Sequence, residues 1–263
     1  MKVILDGRRY HCRIEGPATA PPVVFSHALA TDLRVWEPQI SALLARYRLV
    51  RFDTLGHGGT DAPEGPYSLE GMARDALALM DALEIGRAGF VGLSLGGMIA
   101  QELALQAPQR LACMVLCSTT SRIPPEAGSL WEQRIRTAAS EGMEPLVAPT
   151  IVRWFTRPFR ERRPEVIEEI SAMIRATPPA GYIGCCRAIM HLDLTERLAA
   201  VRLPTLVVVG EQDQGTPVSA SRAIHERIAG SRLEVIPAAA HLLNVEQAGE
   251  FNRLLLDFLP RFL

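Results

Sequence analysis

Short apolar runs alternate with longer stretches of helical period along most of this chain. Lys2 to Asp6 and Arg8 to Glu15 switch between polar and apolar residues around Asp6-Gly7, which predicts an antiparallel hairpin with a tight turn. Val23 to Ser26, Tyr47 to Asp53, Ala88 to Gly92, Leu111 to Cys117, Pro204 to Gly210 and Arg232 to Ile236 read as strands, most of them rich in the branched apolar residues of strands buried on both faces. Between them, apolar positions recur every three or four residues. Arg34 to Arg46 carries Val35, Ile40, Leu43 and Leu44 on one face, and Leu69 to Leu83 carries Met72, Ala76, Leu79, Met80 and Leu83 behind an N-cap at Ser68. Leu95 to Gln106, Val218 to Ile228 and Val245 to Leu259 complete the helical set.

Strands that alternate with helices at this spacing imply a mostly parallel central sheet with helices on both faces. From Ser121 to Arg197 the strand signal stops. That segment holds Trp131, Trp154, Phe155, Phe159 and Tyr182, several prolines, and a helical stretch from Glu165 to Ala176. It is short and begins and ends inside the alternation, and so reads as an insertion over the sheet rather than an independent domain. The expectation is an α/β core over 1–120 and 198–263, with 121–197 as a helical cap insertion.

Composition narrows the partners. Charged residues make up 22% and the net charge is -1, so the basic surface needed to neutralise phosphates is missing and nucleic acid is not an expected partner. Asp6 and Gly7 interrupt the first apolar run, and no stretch approaches the ~18 apolar residues of a membrane span. Cys12, Cys113, Cys117, Cys185 and Cys186 are odd in number and lack zinc-like spacing, so reduced core thiols in a cytoplasmic protein are expected. No metal cluster or dinucleotide-binding glycine pattern is present, and neither a metal nor a cofactor is expected.

The chemistry concentrates at Gly92-Leu93-Ser94-Leu95-Gly96, a G-x-S-x-G nucleophile elbow between a strand and a helix. A strand that reverses into a helix this sharply brings backbones together, which the flanking glycines permit. Ser94 then projects from the sheet tip, and the Leu95 N–H at the helix N-terminus can face a developing oxyanion. A serine hydroxyl needs a base, and the base needs an acid to hold its tautomer; after such an elbow they follow in the order Asp or Glu, then His. His191 falls in the insertion and His225 lies on a charged helix face. His241 follows the last strand in a loop of small residues and is the expected base. Asp213 follows the strand ending at Gly210 and is the expected acid, with its neighbour Glu211 the competitor. A second oxyanion donor should come from Ala28-Leu29, after the strand ending at Ser26, with Leu29 preferred. His27 and His57 read as residues that order loops, and His11 as a surface residue.

With these residues placed, the chain resembles the α/β-hydrolase superfamily over its whole length. Several stretches are similar to the 3-oxoadipate enol-lactonase family: Thr31 to Gln39, Phe52 to Gly58, Gly65-Pro66-Tyr67-Ser68, Gly92 to Met98, Arg153-Trp154-Phe155-Thr156, Gly181 to Cys186 and Ala239 to Gln247. The matches inside the insertion are the specific ones, since the elbow alone is shared very widely. The family usually reads N-S-L-G where this chain has His27-Ala28-Leu29-Ala30. The resemblance implies hydrolysis of a small anionic enol-lactone in the degradation of aromatic compounds. An anionic substrate requires a fixed cation, for which Arg34, Arg153 and Arg187 are the candidates, with Trp131 and Trp154 as the apolar wall. The runner-up within catalysis is a general carboxylesterase or another lactonase; a ligand receptor on the same fold is the non-catalytic alternative. The expected partner in every case is a small molecule.

Overall fold

The computed structural model describes all 263 residues. Its frame is one eight-stranded sheet in the order β1-β2-β4-β3-β5-β6-β7-β8. The strands are β1 (Lys2–Leu5), β2 (Arg8–Glu15), β3 (Pro22–Ser26), β4 (Arg48–Phe52), β5 (Ala88–Leu93), β6 (Leu111–Cys117), β7 (Thr205–Gly210) and β8 (Arg232–Ile236). Strand β2 pairs antiparallel with both β1 and β4, and the remaining neighbours run parallel. The hairpin turn takes positive φ at both Asp6 and Gly7, as a two-residue turn matched to strand twist requires. Every residue of β5, β6 and β7 is buried, which explains their uninterrupted apolar sequences.

Helices α1 (Glu37–Leu43), α2 (Leu69–Ala82) and α3 (Leu95–Gln106) connect β3 to β4, β4 to β5 and β5 to β6. Between β6 and β7 there is no strand, only α4 (Gly128–Glu141), α5 (Glu144–Trp154), α6 (Arg157–Arg162), α7 (Pro164–Ala176) and α8 (Pro179–Met190). The two ends of this helical segment are clasped by Ile123 N–H to Leu192 O at 3.0 Å and Leu194 N–H to Ser121 O at 2.8 Å. Its seat on the core is a backbone contact: Gly181 of α8 lies on Gly56, and a Cβ at either position would collide with the other's backbone. Helices α9 (Val218–Arg227), α10 (Leu243–Glu246) and α11 (Ala248–Phe258) finish the chain.

Two helices differ from the sequence expectation. The helix expected over Arg34 to Arg46 starts as a 3-10 turn at Leu33–Trp36, because Asp32 caps it by accepting from Arg34 N–H, and becomes α-helical only at Glu37–Leu43. The closing helix expected over Val245 to Leu259 is broken at Gln247, whose φ of -124 and ψ of 50 separate α10 from α11. A one-residue break leaves the apolar period almost untouched. Topologically, β3 leads to β4 on one side while β5 lies on its other side. Carboxyl ends at such a reversal point open a crevice, and the loops after β3 and β5 both begin there.

Candidate active site

Ser94 occupies the turn between β5 and α3 with φ 53 and ψ -109, a conformation side chains seldom adopt. Its neighbours over-determine it. Ser94 N–H donates to Cys117 O at 2.8 Å, while Ser94 O accepts from Gly97 N–H at 2.9 Å and Thr119 Oγ1 at 2.8 Å. A Cβ on Gly92 would strike the Gly96 carbonyl, and one on Gly96 the Ser26 carbonyl, so the elbow closes only with glycine at both places. Gly96 N–H also donates to His27 O at 3.1 Å, tying the elbow to the loop after β3.

His241 sits in the loop after β8 and Asp213 in the loop after β7. The imidazole Nδ1 lies 2.8 Å from Asp213 Oδ2. That carboxylate also accepts from Gly215 N–H at 2.8 Å, Thr216 N–H at 3.0 Å and Thr216 Oγ1 at 2.8 Å. Burial alone would raise the Asp213 carboxyl, but His241 and the Thr216 donors hold it below the usual carboxylate range. Glu211, the sequence competitor, is exposed and reaches only Ala238 N–H, at 3.4 Å. Nδ1 is thus committed to Asp213, and the ring lines the same cavity as Ser94. The Ser94 hydroxyl and His241 Nε2 make no direct hydrogen bond.

The loop after β3 is held by two buried histidines. His27 Nε2 accepts from Thr54 N–H at 2.9 Å and Nδ1 lies 2.8 Å from Ala28 O; His57 Nε2 accepts from Ala30 N–H at 2.9 Å and Nδ1 lies 3.3 Å from Leu55 O. Since His57 Nε2 accepts, its proton belongs on Nδ1 and that ring is neutral. Burial, reinforced by the nearby His27, pushes His57 down to about 3. Ala30 takes φ 59 where the family usually has glycine. The Leu29 N–H has no acceptor in the protein. The Leu95 N–H, first in α3, has no intrahelical partner by position. Either amide can serve an oxyanion. His11, expected at the surface, is instead half-buried with Nδ1 2.7 Å from Asp53 Oδ2.

Above these groups lies a cavity of about 670 Å³ whose lining includes Leu29, Ser94, His241, Trp131, Trp154 and Arg153. Trp154 is buried and stacks on His241 with centroids 5.9 Å apart. Two of the arginines considered from sequence are elsewhere. Arg34 folds back on Asp32, donating from Nε at 2.9 Å and Nη2 at 2.6 Å, because Asp32 already faces it as the cap of the 3-10 turn. Arg187 is exposed, on the side of α8 away from the buried Tyr182, Cys185, Cys186 and Ile189. Arg153 does face the cavity. It donates to Thr150 Oγ1 at 3.1 Å and meets no carboxylate; burial, then repulsion from Arg134, lowers it to about 10, still a cation at neutral pH.

Arg134 was not singled out by the sequence. It lines the same cavity with its guanidinium 4.8 Å over the Trp131 ring, and it too has no carboxylate partner. Its position three residues after Trp131 on α4, and so on the same helical face, is the signal that points to it. No cluster of three or more His, Cys, Asp or Glu side chains converges as a metal site would require.

An elbow serine, a histidine on a buried carboxylate and two free amides beneath a cavity define an α/β hydrolase. The family model for the alpha/beta hydrolase fold matches residues 21–248, and the chain belongs to that family. It is an ester hydrolase whose relatives act on small molecules. The 3-oxoadipate enol-lactonase 2 of Acinetobacter baylyi is 34% identical over 247 residues, 94% of this chain and 91% of that one. Among solved structures, the enol-lactonase from Burkholderia xenovorans LB400 superposes with a TM-score of 0.95 at 38% identity, covering 99% of this chain and 100% of that one. A thermophilic esterase from Thermogutta terrifontis, solved with malate bound, gives 0.94 at 29% identity over 100% and 99% of the two chains.

Proposed function

We propose that this hydrolase opens a small anionic enol-lactone, 3-oxoadipate enol-lactone, to 3-oxoadipate in the degradation of aromatic compounds. The observation that carries the reading is the pair of cavity arginines without carboxylate partners, Arg134 and Arg153, above the serine elbow. A partly desolvated guanidinium is poorly served by water and binds a carboxylate with charge-assisted, directional bonds. The similarity to two enol-lactonases supports the same substrate class.

In this reading Ser94 Oγ attacks the lactone carbonyl while His241 Nε2 takes its proton, with Asp213 holding the tautomer and stabilising the imidazolium. The tetrahedral oxyanion accepts from Leu29 and Leu95 N–H. Cleavage of the ring C–O bond releases an enolate oxygen, which takes the proton from His241 and tautomerises to the ketone. Water then attacks the acyl-enzyme, gives a proton to His241, and Ser94 Oγ leaves with it. Trp131 and Trp154 form the apolar wall.

A general carboxylesterase is the second reading, favoured by the close superposition on the Thermogutta esterase. Rates on the enol-lactone and on p-nitrophenyl acetate separate them. A strong preference for the lactone in kcat/KM is expected; a preference for the neutral ester would leave the esterase reading standing.

A further inference from the structure

Two family-like stretches, Arg153-Trp154-Phe155-Thr156 at the end of α5 and Ala240 to Glu246 after β8, meet around one buried carboxylate. Glu246 is 8% exposed and pairs with no cation. Its Oε2 accepts from Ala240 N–H at 2.9 Å, and its Oε1 accepts from Thr156 N–H at 3.1 Å and from Thr156 Oγ1. On the other side of His241, Leu242 N–H donates to Trp154 O at 3.1 Å. The amides immediately before and after His241 are therefore both tied to Trp154-Phe155-Thr156. The Trp154 indole lies along the imidazole between the two ties, with the rings inclined by 25°.

Taking a carboxylate out of water is costly, and an apolar side chain would fill the same space more cheaply. What the carboxylate adds is direction, since each oxygen fixes a different donor. We propose that Glu246 is a positioning residue for His241, fastening the backbone around the imidazole to the helical segment that carries the cavity wall. This rests on His241 being the base. The helical segment then sets the base's position as well as the pocket's shape, and loosening Glu246 should slow turnover without weakening binding.

The test measures kcat, KM and the thermal midpoint on p-nitrophenyl acetate for Glu246→Gln, Thr156→Val, the double variant and His241→Ala. Glu246→Gln directs amide hydrogens at groups that are themselves donors, whereas Thr156→Val removes one bond at nearly constant volume. With assays run well below each midpoint, Glu246→Gln is expected to lower kcat by roughly 10- to 100-fold with KM changed less than about twofold, the scale of a small misplacement of a reacting group. Thr156→Val should lower kcat less, and the double variant no further than Glu246→Gln, because both act on one clamp. If Glu246→Gln does not fold, Thr156→Val decides alone. Unchanged kcat in these variants with only a lowered midpoint would reduce Glu246 to a packing residue and overturn the proposal. Activity surviving in His241→Ala would instead remove the base assignment on which the proposal stands.

Discussion

The floor and the roof of the cavity are built on different physics. The floor, made of the elbow and the loops after β3, β7 and β8, is held by backbone: Ser94 at positive φ, glycines against carbonyls, and His27 and His57 clamping amides. The roof, α4 to α8, is also seated through backbone, at Gly181 on Gly56 and Leu242 N–H to Trp154 O, but it faces the cavity with long side chains such as Trp131, Arg134 and Arg153. A floor of this kind tolerates few residue types, as the glycines at 92 and 96 show. Away from Trp154-Phe155-Thr156, which touch the His241 loop, roof side chains can change what the cavity recognises without disturbing what lies below. In the proposed reading the floor carries the chemistry and the roof the choice of substrate, with Glu246 tying the two.

The largest effects should come from the floor. Ser94→Ala removes one hydroxyl and no core volume, so turnover should fall on the order of 10⁴-fold or more with the circular dichroism spectrum and melting temperature unchanged. Asp213→Asn should cost roughly 10⁴-fold through the wrong imidazole tautomer, while the exposed Glu211→Gln should cost little. The reverse ranking of the two acids, read from kcat, would move the acid.

Acid should loosen the floor in a specific way. His57 is neutral in the fold with its ring pushed down to about 3, whereas the unfolded chain binds that proton below its ordinary 6.5. The unfolded state therefore holds more protons between these values, and stability is full above pH 6.5 and lost as pH falls toward 3, by up to about 1.4 kcal/mol per pH unit from this group. Urea titrations at several pH values should show that slope, and His57→Asn should flatten it; equal slopes would detach His57 from the acid response.

The smallest effect concerns Ala30, strained at φ 59. Ala30→Gly should raise stability by about 0.5–1 kcal/mol, since a left-handed alanine costs more than the extra freedom glycine gains in the unfolded chain. A lower melting temperature would mean that the methyl contributes packing worth more than the strain.

The same division governs what could be read in the sequence. Strands β5 and β6, helix α3, the elbow, Asp213 and His241 were legible because their residue types are dictated by burial on both faces, a tight turn and an order along the chain. The hairpin was legible from Asp6-Gly7. Arg34 was misplaced because sequence proximity to the loop says nothing of Asp32 taking the guanidinium as it caps the 3-10 turn. Arg187 and Arg134 illustrate the roof: both lie on amphipathic helices, and which one turns toward the cavity depends on how α4 and α8 pack together. Glu246 lies in a family-like stretch, but nothing in that stretch names its partner; only the fold brings Thr156 to it from 90 residues away.

The claim that the roof chooses while the floor reacts is tested most directly by Arg153→Gln assayed on two substrates. For 3-oxoadipate enol-lactone, kcat/KM is expected to fall roughly 10- to 100-fold, the worth of a charge-assisted hydrogen bond of about 1.5–3 kcal/mol, mainly through KM. For p-nitrophenyl acetate it should change no more than about threefold, and Arg34→Ala should leave both substrates alone, since a surface ion pair is worth little. Equal losses on the anionic lactone and the neutral ester would contradict the division and return the protein to the general esterases.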